Sequence, residues 1–296
     1  MRGKARQALP HGQSGRETMS IQTVTTILTH QSSADEQLDA AIAFARASDA
    51  HLQVMPLSIG FSQPGGMYGS IETVPVSTDF EDAPARAKAL ASHATARLEK
   101  EDIRWDVDLV VSITSNLAHD IIRHIRFTDL VVQVRPTGVE QGYATKIAEA
   151  VLFDADAPLL MLPPDVTITA PVETIMVAWD ESPTALRATR LAMPFLQQAK
   201  RVYVALVDPS QDAPDRSDPG GAFAQFLARH GVKCEVAVMA RTENSIAETL
   251  GQRAQEMGCD MIVMGAYGHS RLREVLFGGT TRSMLENAEL PILFAH

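Results

Sequence analysis

Asp260-Met-Ile-Val-Met-Gly265-Ala-Tyr-Gly268, followed after nine further residues by Gly278-Gly279-Thr280-Thr281, decides how the rest of the chain is read. An apolar run without alternation, closing on a glycine, is the pattern of a strand buried on both faces whose chain turns sharply where it ends. The run has a counterpart earlier in the chain, Asp129-Leu-Val-Val-Gln-Val134, and each follows a helical pattern. Ala157-Pro-Leu-Leu-Met-Leu162 is likewise matched by Leu290-Pro-Ile-Leu-Phe294. In both, a proline introduces a short apolar strand, the position where its missing donor costs least. Upstream, Val107 to Val111 corresponds to Cys234 to Val238, and Thr25 to Thr29 to Ile175 to Trp179, which aligns His30 with Asp180. The chain is written twice in one element order.

Strands alternate with helices throughout that order, which predicts right-handed crossovers and mostly parallel pairing. The expected fold class is α/β, with two tandem doubly wound domains of Rossmann-like type. In the second half a helix opens at Ser182 or Pro183 and runs to about Gln198, and Val202 to Val207 forms the next strand. A loop from Asp208 to Gly221, rich in Pro, Asp, Ser and Gly, precedes a helix to about His230. Asn244 and Ser245 are candidate caps for a helix through about Met257. Pro163-Pro164 and Pro171 mark an irregular junction, so residues 19–165 and 171–296 are expected as the two domains. Residues 1–18 read as a disordered leader, and Met19 offers a second start.

Composition narrows the function. The chain has 296 residues, 45% hydrophobic and 21% charged, enough for two medium domains with their own cores. Asp and Glu (36) exceed Lys and Arg (26), for a net charge of -10 spread along the chain. That excludes the clustered basic face that a nucleic-acid partner requires. Cys234 and Cys259 lie in no metal-ligand or disulfide-framework spacing. His93, His119 and His124 sit on helical patterns without a second ligand at suitable spacing, so no metal site is expected. No apolar stretch approaches the roughly 18 residues of a membrane span. Residues 1–18 hold Arg2, Lys4, Arg6 and Arg16 but no apolar segment, unlike a secretory signal, and a cytoplasmic location is expected.

The glycine clusters carry the chemistry. A glycine at a strand's end admits close backbone approach by a ligand, and Gly278 to Thr281 would place backbone donors and hydroxyls at a helix amino terminus, where the dipole favours anions. Both would lie at the carboxyl edge of the sheet, where open α/β folds bind ligands. On spacing alone, glycines that merely shape a loop and a threonine that merely caps a helix account for the pattern equally well.

The spacing Gly265-x-x-Gly268, nine residues, Gly278, then Thr281, closing on Leu290-Pro-Ile-Leu293, resembles the universal stress protein family, and the doubled layout is similar to that of its tandem members. The resemblance implies an adenine nucleotide alpha hydrolase-like fold that binds ATP, with or without Mg2+, through the glycine motif. Gly265, Gly268 and Gly278 match the family pattern. Where the family usually has serine or threonine next, this chain has Gly279, which leaves Thr280 or Thr281 to supply a hydroxyl. Asp180 occupies the place of an aspartate beside the nucleoside, and Val207 that of a residue lining the adenine pocket. Read without the resemblance, Asp180 and Ser182 cap the next helix and Val207 is core. His269, Arg271, Arg273 and Arg282 lie in or beside the motif, as outer charge partners for phosphate or as solvated surface residues, outside the primary site. The family also implies dimers joined through the last strand. Within one chain this sets Leu159 to Leu162 against Ile292 to Phe294 as a pseudo-dimer, with a further homodimer open.

The first half lacks the glycines. After Val134 it reads Arg135-Pro-Thr-Gly-Val-Glu-Gln-Gly142, and Pro136 removes a backbone donor where phosphate would need one. This half is read as degenerate for nucleotide. Its irregular stretch Ser58 to Pro84 is long enough to be a lid, a binding element or a plain insertion. Three functions remain: an ATP-binding regulatory protein with the second domain holding the nucleotide, a nucleotide-independent stress adaptor or docking protein, and a slow ATPase. No Walker lysine, nucleophile–base pair or carboxylate pair with interpretable spacing is present, so no catalytic residue is assigned.

Overall fold

The computed structural model describes residues 21–60, 79–136, 141–209, 217–266 and 279–296. The leader, the centre of the Ser58 to Pro84 stretch, much of the Asp208 to Gly221 loop, and Gly268, Gly278, His269, Arg271 and Arg273 lie outside them.

The first half runs β1 (Thr23–Leu28), α1 (Ala34–Ser48), β2 (His51–Gly60), α2 (Asp79–Leu98), β3 (Trp105–Val107), β4 (Val110–Ile113), α3 (Leu117–Ile125), β5 (Leu130–Val134), α4 (Gln141–Glu149), a π-helical turn (Ala150–Asp154) and β6 (Leu159–Leu162). The second runs β7 (Thr174–Ala178), α5 (Pro183–Leu191), α6 (Met193–Gln198), β8 (Arg201–Val207), α7 (Gly221–Arg229), β9 (Cys234–Met239), α8 (Ile246–Glu256), β10 (Met261–Gly265), α9 (Gly279–Asn287) and β11 (Ile292–Ala295).

The strands form one sheet in the order β3-β2-β1-β5-β6-β11-β10-β7-β8-β9, with β4 also on β2. Among the described residues every strand pairing is parallel except β6 with β11, where Leu160 faces Leu293 and Leu159 faces Phe294. Helices cover both faces, and alternate strand residues feed two cores. Leu130, Val132, Met261 and Val263 join the core under α1, α2 and α5 to α7. Val131, Ile262 and Met264 join the core under α3, α4, α8 and α9. This explains the apolar writing of β10 and the near-continuous apolar writing of β5, whose one polar residue, Gln133, is buried and donates to Ile27 O, since neither face is left to water.

The halves repeat in hydrogen bonding as well as in order. Asp129 Oδ2 accepts the amides of Gln22 and Thr23 at 2.8 and 2.9 Å, and Asp260 Oδ2 accepts those of Glu173 and Thr174 at 3.1 and 2.8 Å. The carbonyls of Pro158 and Pro291 likewise receive the amides of Val131 and Ile262. Each proline thus stands just before its strand, still able to accept though not to donate.

Three expectations are corrected. The single strand read at Val107 to Val111 is two, β3 and β4, which pair with β2 in one unbroken register: Val54 with Val107, then Leu57 with Val110. Leu52 donates to Arg104 O and Val54 O accepts from Asp108, so even-numbered residues of β2 face this neighbour. Pro56 is therefore the residue whose amide would have bridged the gap, and it has none. The helix expected from Pro183 to about Gln198 is two helices, because Pro194 stands in the opening turn of α6 and cannot continue the hydrogen-bond ladder of α5. The stretch Ser58 to Pro84 is irregular only in its middle. Ser58 belongs to β2, and α2 begins at Asp79, with Pro84 inside it withdrawing one helical bond.

Candidate functional site at the carboxyl edge of the sheet

In the second half the sheet order reverses about β7, with β8 on one side and β10 on the other. Between such strands the crossovers leave on opposite faces and a crevice opens at the carboxyl edge. Ala178 pairs with Met264 of β10 and with Ala205 of β8. Asp180 and Val207, two residues beyond Ala178 and Ala205, stand at one level of that edge, and Gly265 directly follows Met264. Asp180 is exposed and Val207 half-buried. The register thus sets these three residues along one edge, while Gly268 and Gly278 are not described.

The turn that carries Asp180 is tightly specified. Asp180 Oδ1 accepts the Ser182 amide at 3.0 Å, and Ser182 Oγ accepts the Ala185 amide at 3.1 Å, capping α5. Between them Glu181 is left-handed, with φ of 63°, a conformation that costs a side-chain-bearing residue about 1–2 kcal/mol. Trp179, just before Asp180, stacks on Phe223 of α7 at 3.8 Å and 6°. That stacking fixes the strand end from below. Sequence reasoning passed over Trp179, although an aromatic beside a candidate ligand residue was a readable signal.

Gly265 has a second reason to be glycine. A Cβ there would fall 2.5 Å from the Ala185 nitrogen and 2.7 Å from the Thr184 carbonyl carbon. The end of β10 rests directly on the opening turn of α5, so the absent side chain makes room for protein. Gly279 is the opposite case: a Cβ there meets nothing within 4 Å. Gly279 is exposed and opens α9, Thr280 is half-buried behind it, and Thr281 is buried and engaged with a partner. Thr280 is therefore the better placed of the two to meet a ligand. The opening amides of α9 have no intrahelical acceptor and can serve an anion. Arg282, expected as an outer phosphate contact, bonds Glu286 at 2.8 Å one turn along α9.

The register also revises the alignment of the halves. Val24 pairs with Leu130 as Ile175 pairs with Met261, which sets Thr29, and not His30, at the place of Asp180. Val134 then stands at the place of Gly265. The first half keeps a cavity of about 350 Å³ at this edge, bordered by Thr29, Ser33, Gln37 and Val134, which the missing glycines had not suggested.

Residues 171–296 match the model of the universal stress protein family. A universal stress protein from Synechocystis sp. is 25% identical over 155 residues, 52% of this chain and 52% of that protein, so the chain spans about half the length of the curated relative it matches. The crystal structure of a universal stress protein from Archaeoglobus fulgidus aligns with TM-score 0.64 at 15% identity, over 92% of this chain and 97% of that one. A functionally unknown protein from Pseudomonas aeruginosa aligns with TM-score 0.58 at 14% identity, over 93% and 92%. At these identities the likeness is one of fold: α/β with a mostly parallel sheet, two domains covering the chain. Among the described residues no helix is long and apolar enough to cross a membrane.

Proposed function

Residues 171–296 belong to the universal stress protein family, and from that premise we propose that this domain holds an adenine nucleotide, ATP with its magnesium ion, so that the chain acts as a nucleotide-responsive regulator. The observation that carries the reading is that Asp180 and Val207 follow or end neighbouring strands at one reversal of sheet order, with Gly265 of β10 on the other side and α9 the next element after it. Asp180 would accept from the ribose or the adenine amino group, Val207 would line the base, and the amides at Gly279 and Thr280 would meet phosphate. Gly268 and Gly278 would complete the loop over the phosphates, and Gly265 serves the site indirectly, by seating β10 against α5. Residues 19–165 form the companion domain, degenerate for nucleotide. Antiparallel pairing of β6 with β11 supports reading the chain as a pseudo-dimer, and the cytoplasm is its proposed working compartment.

A nucleotide-independent adaptor is favoured by one observation, the exposed Gly279 that offers no hydroxyl where the family has one. Substitution at α9 separates the two. Thr280→Glu puts a carboxylate in a helix's first turn, which the dipole tolerates or favours, yet that charge opposes phosphate. Gly279→Ser adds the hydroxyl into open space. Calorimetric titration of ATP, with and without magnesium, should show binding to the wild type, loss in Thr280→Glu at unchanged melting temperature, and about tenfold tightening in Gly279→Ser, since hydrogen bonds to charged groups contribute about 1.5–3 kcal/mol. A wild type that binds no adenine nucleotide, and releases none on denaturation, leaves the adaptor.

A further inference from the structure

In the first half the strands that flank the sheet reversal part early. β7 and β10 stay paired as far as Ala178 with Met264, whereas β1 and β5 pair only Val24 with Leu130 and Thr25 with Val131. The next two pairs, Thr26 with Val132 and Ile27 with Gln133, are not made. Side chains bridge the parting instead. Thr26 Oγ1 donates to Val132 O at 2.9 Å, and Gln37 of α1 enters the gap, its Oε1 accepting the Val134 amide at 2.7 Å and its Nε2 donating to Val132 O at 3.1 Å. Gln133 Nε2 donates to Ile27 O at 3.3 Å. The crevice therefore reaches two residues deeper than in the second half. It holds the cavity of about 350 Å³, within the size range of small-molecule pockets, about 300–1,000 Å³.

Gln133 is the polar residue of an apolar floor. Two residues beyond Val131, it lies on the face of β5 that joins the core under α3 and α4, where Ile27, Ile147, Leu159 and Met161 line the cavity and are each more than nine-tenths buried. Gln133 is itself only 8% exposed. With Nε2 turned to Ile27 O, its other polar atom, Oε1, is an acceptor with no partner among the described residues. It is not sealed in protein, for the fully buried side-chain atom without a partner among the described residues is Arg135 Nε. The space on which Oε1 opens is the cavity that Gln133 lines. A largely buried acceptor left unmet is costly. Water could meet it but would leave the apolar floor wet; a molecule with one donor and an apolar body serves both.

Charge narrows the class further. The charged residues bordering the cavity are Glu36 and Arg135. Glu36 Oε1 accepts the Asp165 amide at 2.9 Å and Arg135 Nη1 donates to Glu286 O at 2.7 Å, so each is engaged and the two charges offset one another. An ion entering here would lose hydration without gaining a counter-charge of its own. A sugar would set most of its hydroxyls against isoleucine, leucine and methionine, which is costly for the same reason.

We propose that this cavity is a second ligand site, for a small uncharged alcohol with a compact apolar body, whose hydroxyl donates to Gln133 Oε1 while its body lies on Ile27, Ile147, Leu159 and Met161. The site is independent of nucleotide binding in the second half.

The test uses the full chain and four probes of one shape, 3-phenylpropanol, its methyl ether, 3-phenylpropionate and 3-phenylpropylamine, followed by calorimetry and ligand-observed NMR. The alcohol is expected to bind with Kd of about 1 mM or below. The ether, which has no donor, and the two ions should bind at least about tenfold more weakly. Gln133→Leu, which keeps an apolar floor and removes the acceptor, should abolish the preference of alcohol over ether. Because Gln133 also bridges to Ile27 O, a second variant works from the other wall: Ala144→Phe, on α4 at the border of the cavity, should abolish binding of the alcohol while the melting temperature is kept. Saturating ATP should leave binding of the alcohol unchanged. Absence of binding at about 10 mM alcohol, an ether or ion that binds as tightly as the alcohol, a preference that survives Gln133→Leu, wild-type binding by Ala144→Phe, or competition by ATP would each overturn the proposal.

Discussion

Replacing Gly265 by alanine tests what the glycine is for. The added carbon would stand 2.5 Å from the Ala185 nitrogen and 2.7 Å from both the Thr184 carbonyl carbon and Thr184 Oγ1. Comfortable contacts of this kind lie near 3.5–4.0 Å, so about 1 Å must be made up by moving backbone. Neither partner moves freely. Gly265 is paired with Ala295 of β11, and the start of α5 is tied by the Asp180–Ser182 and Ser182–Ala185 bonds. Overpacking of this sort costs about 1–3 kcal/mol, and loss of the Ser182 cap would add about 1 kcal/mol. The expected destabilisation is about 2–4 kcal/mol, a fall in melting temperature of roughly 4–16 °C for a unit of this size. The assay is thermal denaturation of nucleotide-free protein, with amide exchange reporting on α5. Gly279→Ala, where the new carbon meets nothing, is the control and should melt within about 0.5 kcal/mol of wild type or slightly above it. If Gly265→Ala melts as wild type without nucleotide and α5 keeps its protection, the steric reasoning is wrong and the glycine answers to the ligand alone.

Two further outcomes follow from polar groups outside the site. Burial, with the Asp260 carboxylate adding to it and Arg201 opposing, pushes the Cys259 thiol up to about 11. The folded state then keeps a proton that the unfolded chain gives up near its ordinary value of about 8.5, so stability is full below that value and falls as pH rises towards about 11. Denaturant midpoints should decline over this window in wild type and less steeply in Cys259→Ala, and iodoacetamide should label native Cys259 far more slowly than the unfolded thiol at pH about 8.5. Asp129→Ala and Asp260→Ala each remove the acceptor of two strand-opening amides and should cost similar amounts, about 1–3 kcal/mol each after allowance for exposure. A large loss in one and none in the other would show that the two bond pairs are not equivalent.

The parts of the fold legible in the sequence are those with a local cause. Asp260 to Met264 and Asp129 to Val134 read as strands because burial on both faces forbids polar alternation, and that requirement is met residue by residue. Proline before β6 and β11 is local in the same sense. The split of β3 from β4 is not, since its cause is Pro56 on another strand, and even Pro56 matters only because the even positions of β2 turn their amides to that side. The candidate site divides likewise. Asp180 and Val207 could be placed on one edge from element order alone, as the ends of strands flanking a reversal. What Gly265 touches could not, because Thr184 and Ala185 meet it through space.

The first half shows the consequence most clearly. Read along the chain, Val134 and Pro136 in place of the glycine motif record a loss, the removal of backbone that could approach phosphate. In three dimensions the same valine cannot coexist with a helix start seated as α5 is on Gly265, and Gln37 enters the space to satisfy the Val134 amide. The valine at this strand end thus borders a cavity of about 350 Å³, beside a helix whose N-cap residue Ser33 makes no side-chain cap.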